Sequence, residues 1–147
     1  MAIDADDDET LSGFRSYAQQ PMTRRLTPEQ QNAGTYSWIW RPDRVQELVD
    51  LGREQRLFLC GNAANAPDFY SSFSKVFALI VTQEQLSRQL GARTTGFGST
   101  ETDRQKIYGW NQSFNDAQHL LGAQLVRTDR APALLADFIL GQCDDAE

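Results

Sequence analysis

Two carboxylates one residue apart, Asp4 and Asp6, are the first side chains in this chain that can do acid-base or cation chemistry. A carboxylate can accept a hydroxyl proton and can hold a hard cation through its oxygens. Asp7, Asp8 and Glu9 follow at once, so the same residues also read as a solvated acidic tail. Among the basic residues, 12 are Arg and 2 are Lys, and the planar fork of arginine suits phosphate oxygens. Trp38 and Trp40 flank Ile39 and place both indoles on one face, where they can stack on a planar substrate or cover the core. Gly61 and Asn62 follow an apolar run, and small residues there let a ligand approach the backbone closely.

Other chemistries are excluded by composition. The single histidine, His119, rules out a histidine-rich metal site and most His-dependent triads. The two cysteines, Cys60 and Cys143, have no metal spacing and form no disulfide framework, and Cys60 is expected to be buried and inert. The net charge of −6 comes from the ends, where Asp4, Asp6, Asp7, Asp8, Glu9, Asp144, Asp145 and Glu147 lie. Setting these aside leaves 12 acids against 14 bases, which argues against a nucleic-acid binder but leaves room for a local basic site facing a phosphate. No apolar stretch reaches membrane-spanning length and the first residues lack signal-peptide features, so the expectation is a cytoplasmic protein without membrane partners.

The elements that must position these residues follow from periodicity. Leu57–Cys60, Val76–Val81 and Ala123–Val126 read as buried strands, with Met1–Ile3 as the stub of another. Pro42, Val45, Leu48 and Val49 mark an amphipathic helix over 42–54. Thr82 with Gln85, and Thr100 with Asp103, signal two helix starts, and Ile107, Trp110, Phe114, Ala117 and Leu121 form one stripe on the second of these helices. Thr128 or Asp129 is placed to cap a last helix carrying Leu134, Leu135, Phe138 and Ile139. Residues 18–37 read as a long surface connection with a short helix near Thr27-Pro28-Glu29. Strand and helix alternate from residue 42 onward, which predicts an α/β protein with a mainly parallel sheet.

In such sheets ligands bind beyond the carboxyl ends of the strands. Those ends carry Asp4-Ala5-Asp6, Cys60-Gly61-Asn62 and Arg127-Thr128-Asp129-Arg130, and the loop after the third predicted helix reads Arg93-Thr94-Thr95-Gly96-Phe97-Gly98. With Trp38-Ile39-Trp40, Asp68-Phe69-Tyr70 and Phe73-Ser74-Lys75-Val76-Phe77, this order resembles P-loop small-molecule kinases of the shikimate, gluconate and adenylate kinase group, in particular the kinase-like ATP-binding proteins common in actinobacteria. The resemblance covers nearly the whole chain. It implies a three-layer P-loop NTPase-like parallel sheet, ATP and Mg²⁺ as cofactors, and a small hydroxyl-bearing metabolite as phosphate acceptor.

The resemblance also implies roles for individual residues. Asp4 and Asp6 would meet the acceptor hydroxyl, with Asp6 helping to place Mg²⁺, and Gly61, Asn62 and Trp38 would line the acceptor site. Arg93 would open a lid near 93–100, hinged by Gly96 and Gly98, and act on the transferred phosphoryl group. Arg88, Arg127 and Thr128 would lie at the nucleotide.

One part of the family pattern is missing. These kinases cradle the donor phosphates in Gly-x-x-x-x-Gly-Lys-Ser/Thr, and no such run occurs here; neither Lys75 nor Lys106 has the required neighbours. Residue 1 then corresponds to the second strand of the family, and the first, central strand, its loop and the first helix are absent. The expectation is therefore a single incomplete kinase-like domain over 1–147, a truncated or mis-started form inactive as a kinase. In it, the strands at 57–60 and 76–81 each lack their shared partner. The alternative is a non-catalytic remnant or binding module that pairs with another chain supplying that strand.

Overall fold

The computed structural model describes residues 1–16, 21–96 and 98–144, and the chain divides into two compact units, Met1–Ser74 and Lys75–Glu147. In the first unit, β1 (Ala2–Asp4) and β2 (Ser12–Ser16) precede α1 (Pro28–Ala33), β3 (Tyr36–Trp40), α2 (Pro42–Gly52) and β4 (Phe58–Cys60). β1 and β4 pair in parallel with Asp4 opposite Cys60. β2 and β3 pair antiparallel, Ser12 opposite Trp40 and Ser16 opposite Tyr36, and Thr23 bridges to Phe14.

Local chemistry sets the element ends. Thr27 and Gln30 close a reciprocal capping box at the start of α1, and Gly34 ends that helix at φ 64°, a left-handed conformation that glycine adopts without penalty. Pro42 occupies the first turn of α2, where its missing N–H costs nothing, and Val45 and Leu48 on the inward stripe are buried. They join Ala5, Leu11, Trp40, Ala63 and Ala66 in one core, against which Ile3, Leu57, Leu59 and Phe69 pack.

The segment after β4 is fastened to β3 by a side chain that imitates a strand. Asn65 accepts the Trp40 N–H at 2.9 Å and donates to the Trp40 carbonyl at 2.8 Å, while the Ala64 N–H donates to the Trp38 carbonyl at 2.8 Å. One amide thereby satisfies both backbone groups of Trp40, a residue buried to 4% exposure.

The second unit runs β5 (Phe77–Ile80), α3 (Gln83–Gly91), α4 (Glu101–Leu120), β6 (Gln124–Arg127) and α5 (Pro132–Asp144). β5 and β6 pair in parallel, Phe77 opposite Gln124 through Ile80 opposite Arg127. The Thr82–Gln85 capping box closes as its spacing predicts, and α3 buries Leu86 and Leu90. At α4, Thr100 accepts the Asp103 N–H, but the Asp103 carboxylate turns to the Gly98 N–H instead of closing the box.

The protein is thus a small α/β fold of helices with short parallel and antiparallel strand pairs. Several expectations are corrected. Residues 18–37 are more than a surface connection, because β3 begins inside them at Tyr36 and Thr23 extends the β2 edge; Ala18, Gln19 and Gln20 lie outside the described residues. Cys60 is exposed rather than buried, since it ends a three-residue strand paired on one edge. Neither Thr128 nor Asp129 caps α5, which starts at Pro132: the Thr128 hydroxyl donates to the Ile80 carbonyl and Asp129 pairs with Arg127. The stripe on α4 is largely uncovered, with Trp110 59% and Leu121 47% exposed.

The Asn65 clamp generates a direct test. Asn65→Ala is expected to lower stability by about 1–3 kcal/mol, because both buried Trp40 backbone groups lose their partner. Urea unfolding measures it, and an unchanged midpoint would show that the clamp carries no net free energy.

Candidate functional site

The acidic segment after β1 is folded. Ala5 and Leu11 are fully buried on either side of it, and the Ala5 N–H donates to the Cys60 carbonyl at 2.8 Å, extending the parallel pairing. Asp4 Oδ1 accepts the Asp6 N–H at 3.0 Å. Asp8 Oδ1 accepts both the N–H and the hydroxyl of Thr10, at 2.8 and 2.6 Å. The Thr10 hydroxyl is the main reason the Asp8 carboxyl lies below its ordinary value, outweighing partial burial, with Arg44 adding a smaller pull. Asp8 is therefore a turn-forming residue, while Asp4 and Asp6 remain exposed at the strand end.

Asp6 is oriented by the hairpin. Trp38, in β3, donates its Nε1–H to Asp6 Oδ1 at 2.9 Å, and its ring meets Phe14 of β2 edge-on at 4.8 Å. Over that same indole, 4.9 Å from the ring centre, lies the guanidinium of Arg24. Arg24 donates to the Asp6 carbonyl at 2.6 Å and to the Ser12 carbonyl at 2.9 Å. The Ser12 hydroxyl, buried, donates to the Ala5 carbonyl. Arg24 is the residue that sequence reasoning missed. It stands in a polar stretch beside Arg25 with no periodicity, and only the bridge between Thr23 and Phe14 brings it to the site.

Gly61 closes the other side. At φ 143° it occupies a region that side chains disfavour, and a Cβ there would stand 3.0 Å from Ala5 Cβ and 3.7 Å from Asp6 Oδ1. Its bareness serves the close approach of two strand ends as much as any ligand. Asn62 next to it is exposed. Trp40, whose ring would lie 3.7 Å from that Cβ, stacks on Phe69 and keeps a buried Nε1–H with no partner among the described residues. Cys60 sits beside Asp4 across the register, and partial burial, then the Asp4 carboxylate, push its thiol pKa up, so the thiol stays protonated and weakly reactive. Of the residues expected at an acceptor, Asp4, Asp6, Trp38, Gly61 and Asn62 thus share the end of the β1–β4 pair.

Arg88, Arg93, Arg127 and Thr128 belong to the second unit. Arg88 is exposed on α3 and lines an open depression of about 330 Å³ with Gln85 and Gln89. The Arg127 guanidinium pairs with Asp129 at 3.4 Å. Thr128 has its N–H and hydroxyl on the Ile80 carbonyl and its own carbonyl on Gln85 Nε2, so its polar groups hold β5, β6 and α3 together. Gly98 is no free hinge: it is buried, at φ 92°, with Leu90 Cδ2 3.0 Å and Ile107 Cδ1 3.2 Å from where a Cβ would stand. The Asp103 carboxylate accepts its N–H and Arg104 donates to its carbonyl, while Gly96 has open space around it. Arg93 Nη1 lies 3.4 Å from the same Cβ position. Phe97 lies outside the described residues.

The donor set at Asp4 and Asp6 suits a cation that keeps most of its water. Each carboxylate has one oxygen engaged and one left, and Mg²⁺ is commonly held by one or two carboxylates plus water and phosphate. Among the described residues no group of three or more His, Cys, Asp or Glu can hold a metal without such help. ATP fares differently, since nothing in the sequence supplies the clustered N–H groups and lysine that its β- and γ-phosphates need. Among the described residues no helix is long and apolar enough to cross a membrane. Compared with protein-family models, curated proteins and solved structures, the chain matches none.

The acidic turn predicts a pH dependence. Because the folded-state pKa of Asp8 is lowered, its contribution to stability is complete above the ordinary value of 3.8 and is lost as pH falls through the folded value. Asp8→Asn is expected to be less stable than wild type at neutral pH, with the gap closing below about pH 4. Urea midpoints across an acid series measure this, and a gap independent of pH would place the effect elsewhere.

Proposed function

We propose that this chain is the acceptor-binding part of an ATP-dependent small-molecule phosphotransferase of the P-loop kinase type, completed by a strand supplied from outside these 147 residues. One observation carries the reading. Among the described residues β4 pairs with β1 alone and β5 with β6 alone, each in parallel, so each of these strands keeps one open edge. In the sheet that the family resemblance implies, a single central strand pairs with both, and the phosphate loop follows it. An open parallel edge carries unpaired N–H and C=O groups, and a further strand is the direct way to satisfy them.

On the acceptor side the residues act as follows. The Asp6 carboxylate, oriented by the Trp38 indole, accepts the hydrogen of the acceptor hydroxyl and takes up its proton as the oxygen attacks the γ-phosphorus of ATP and the bond to the β-phosphate oxygen breaks, releasing ADP. Asp4 holds the backbone of Asp6 in place, and the two carboxylates would hold Mg²⁺, which would neutralise phosphate charge. Arg93 opens a lid segment whose freedom is centred on Gly96, while Gly98 anchors its far end. Arg88 faces the phosphates from α3, and Arg127 with Thr128 backs the nucleotide. The donor phosphates are held by the supplied loop.

A second reading rests on the missing Gly-x-x-x-x-Gly-Lys-Ser/Thr itself: a non-catalytic binding module that takes its strand from another chain. Both readings require that the isolated 147-residue chain show no Mg²⁺-dependent ATP turnover, and measurable turnover overturns both. They part over the form that includes the added strand. The kinase reading expects ATP turnover there, with kcat reduced about 10²–10⁴-fold by Asp6→Asn. Turnover unaffected by Asp6→Asn removes Asp6 from the mechanism, and a stable but inactive complex with a separate chain favours the binding module.

A further inference from the structure

We propose that the exposed side of α5 is a self-association surface, on which a second copy of this chain docks antiparallel and exchanges two ion pairs, Arg130 of each copy with Asp137 of the other. The inference does not depend on the phosphotransferase reading.

The only charged side chains within α5 are Asp137 and Asp144, and none of the helix is buried. A helix that is apolar around most of its circumference ordinarily lies inside a protein. Leu135, Phe138 and Ile139 are half-buried and mark its inward side. Ala133, Leu134, Asp137 and Gly141 fall at helical spacing on the other side and are exposed, Leu134 to 60%.

Charge selects what covers that side. Asp137 has no hydrogen bond or ion pair among the described residues. Arg130, just before the helix, is exposed; its guanidinium lies 5.0 Å from the centre of the Phe138 ring and pairs with no described carboxylate. The surface thus presents a base near the helix start, an acid further along, and Ala133 with Leu134 between them.

Such an order is self-complementary. A copy turned about a two-fold axis passing between Ala133 and Leu134 runs antiparallel, sets Leu134 on the partner's Ala133, and brings each Arg130 to the partner's Asp137. Both charges are then paired, the two Leu134 side chains leave water, and the helix dipoles oppose. An unrelated partner would have to reproduce this sequence of base, apolar pair and acid; a second copy carries it already. With 13 residues α5 is about 20 Å long, and one side of it offers less than the roughly 800 Å² per partner of a standard interface. The dimer is therefore expected to be weak, with Kd of about 10–500 µM.

Sedimentation equilibrium of the full chain from about 5 µM to about 1 mM tests this, with a reductant present because Cys60 is exposed. The expected result is a monomer–dimer equilibrium that weakens as NaCl is raised. Arg130→Glu and Asp137→Arg are each expected to weaken it about tenfold, because each sets like charges opposite one another twice. The double variant Arg130→Glu/Asp137→Arg, and an equimolar mixture of the two single variants, should recover association to within about threefold, since the pairs re-form with reversed sign. A chain that stays monomeric to about 1 mM overturns the proposal and leaves this side of α5 to another segment or protein. Association untouched by the single reversals, or recovered in neither the double variant nor the mixture, overturns it as well. If a reversal disturbs the fold, Leu134→Lys decides the matter: it should abolish the dimer, and undiminished dimerisation overturns the proposal.

Discussion

The parallel pairing of Ala2–Asp4 with Phe58–Cys60 is the constraint from which the acidic site follows. Two three-residue strands have too few hydrogen bonds to stand alone, and this pair is held by the core beneath it, where Ala5, Val45, Leu48 and Ala66 are buried. Because the Ala5 N–H continues the ladder to the Cys60 carbonyl, the next residue on the β4 side meets Ala5 at close range, and only glycine fits there. Asp4, Asp6, Gly61 and Asn62 therefore share one end of the pair. Asp6 is exposed because it lies past the last backbone pairing, where the chain turns, and Asp4 is the exposed last residue of β1.

The hairpin of Ser12–Ser16 and Tyr36–Trp40 gives that end its walls. Alternation along β3 sends Trp38 and Trp40 to the same side, one to Phe14, Arg24 and Asp6, the other into the core against Phe69. Arg24 links the site to the hairpin by bonding the carbonyls of Asp6 and Ser12. Aromatic rings here pack and orient at once: Trp38 fills space beside Phe14 while its one polar atom fixes a carboxylate.

In the second unit the loop after α3 is pinned at Gly98. Gly98 is wedged between Leu90 and Ile107 and bonded at both its N–H and its carbonyl, so the loop after α3 is anchored at that end. Gly96, by contrast, stands in open space at φ 76°. Meanwhile α5 buries none of its residues, and Leu134 is 60% exposed, so this unit holds apolar surface that its own elements do not cover.

By itself the sequence determined what depends on residues a turn apart. The capping boxes of Thr27 with Gln30 and Thr82 with Gln85 form as their spacing dictates, Pro42 opens α2, and the apolar runs ending at Cys60, Val81 and Val126 contain strands. These are local decisions, made by backbone N–H groups within reach of the next side chains and by the period of burial. Tertiary structure decided the rest. Ser12–Ser16 has no alternating apolar pattern and becomes a strand because Tyr36–Trp40 supplies its partner. Asn65 and Arg24 find their roles only when residues far along the chain bring carbonyls to them. The α4 stripe had the right period, yet Trp110 stays 59% and Leu121 47% exposed, because periodicity states which face is apolar and only packing states what meets it.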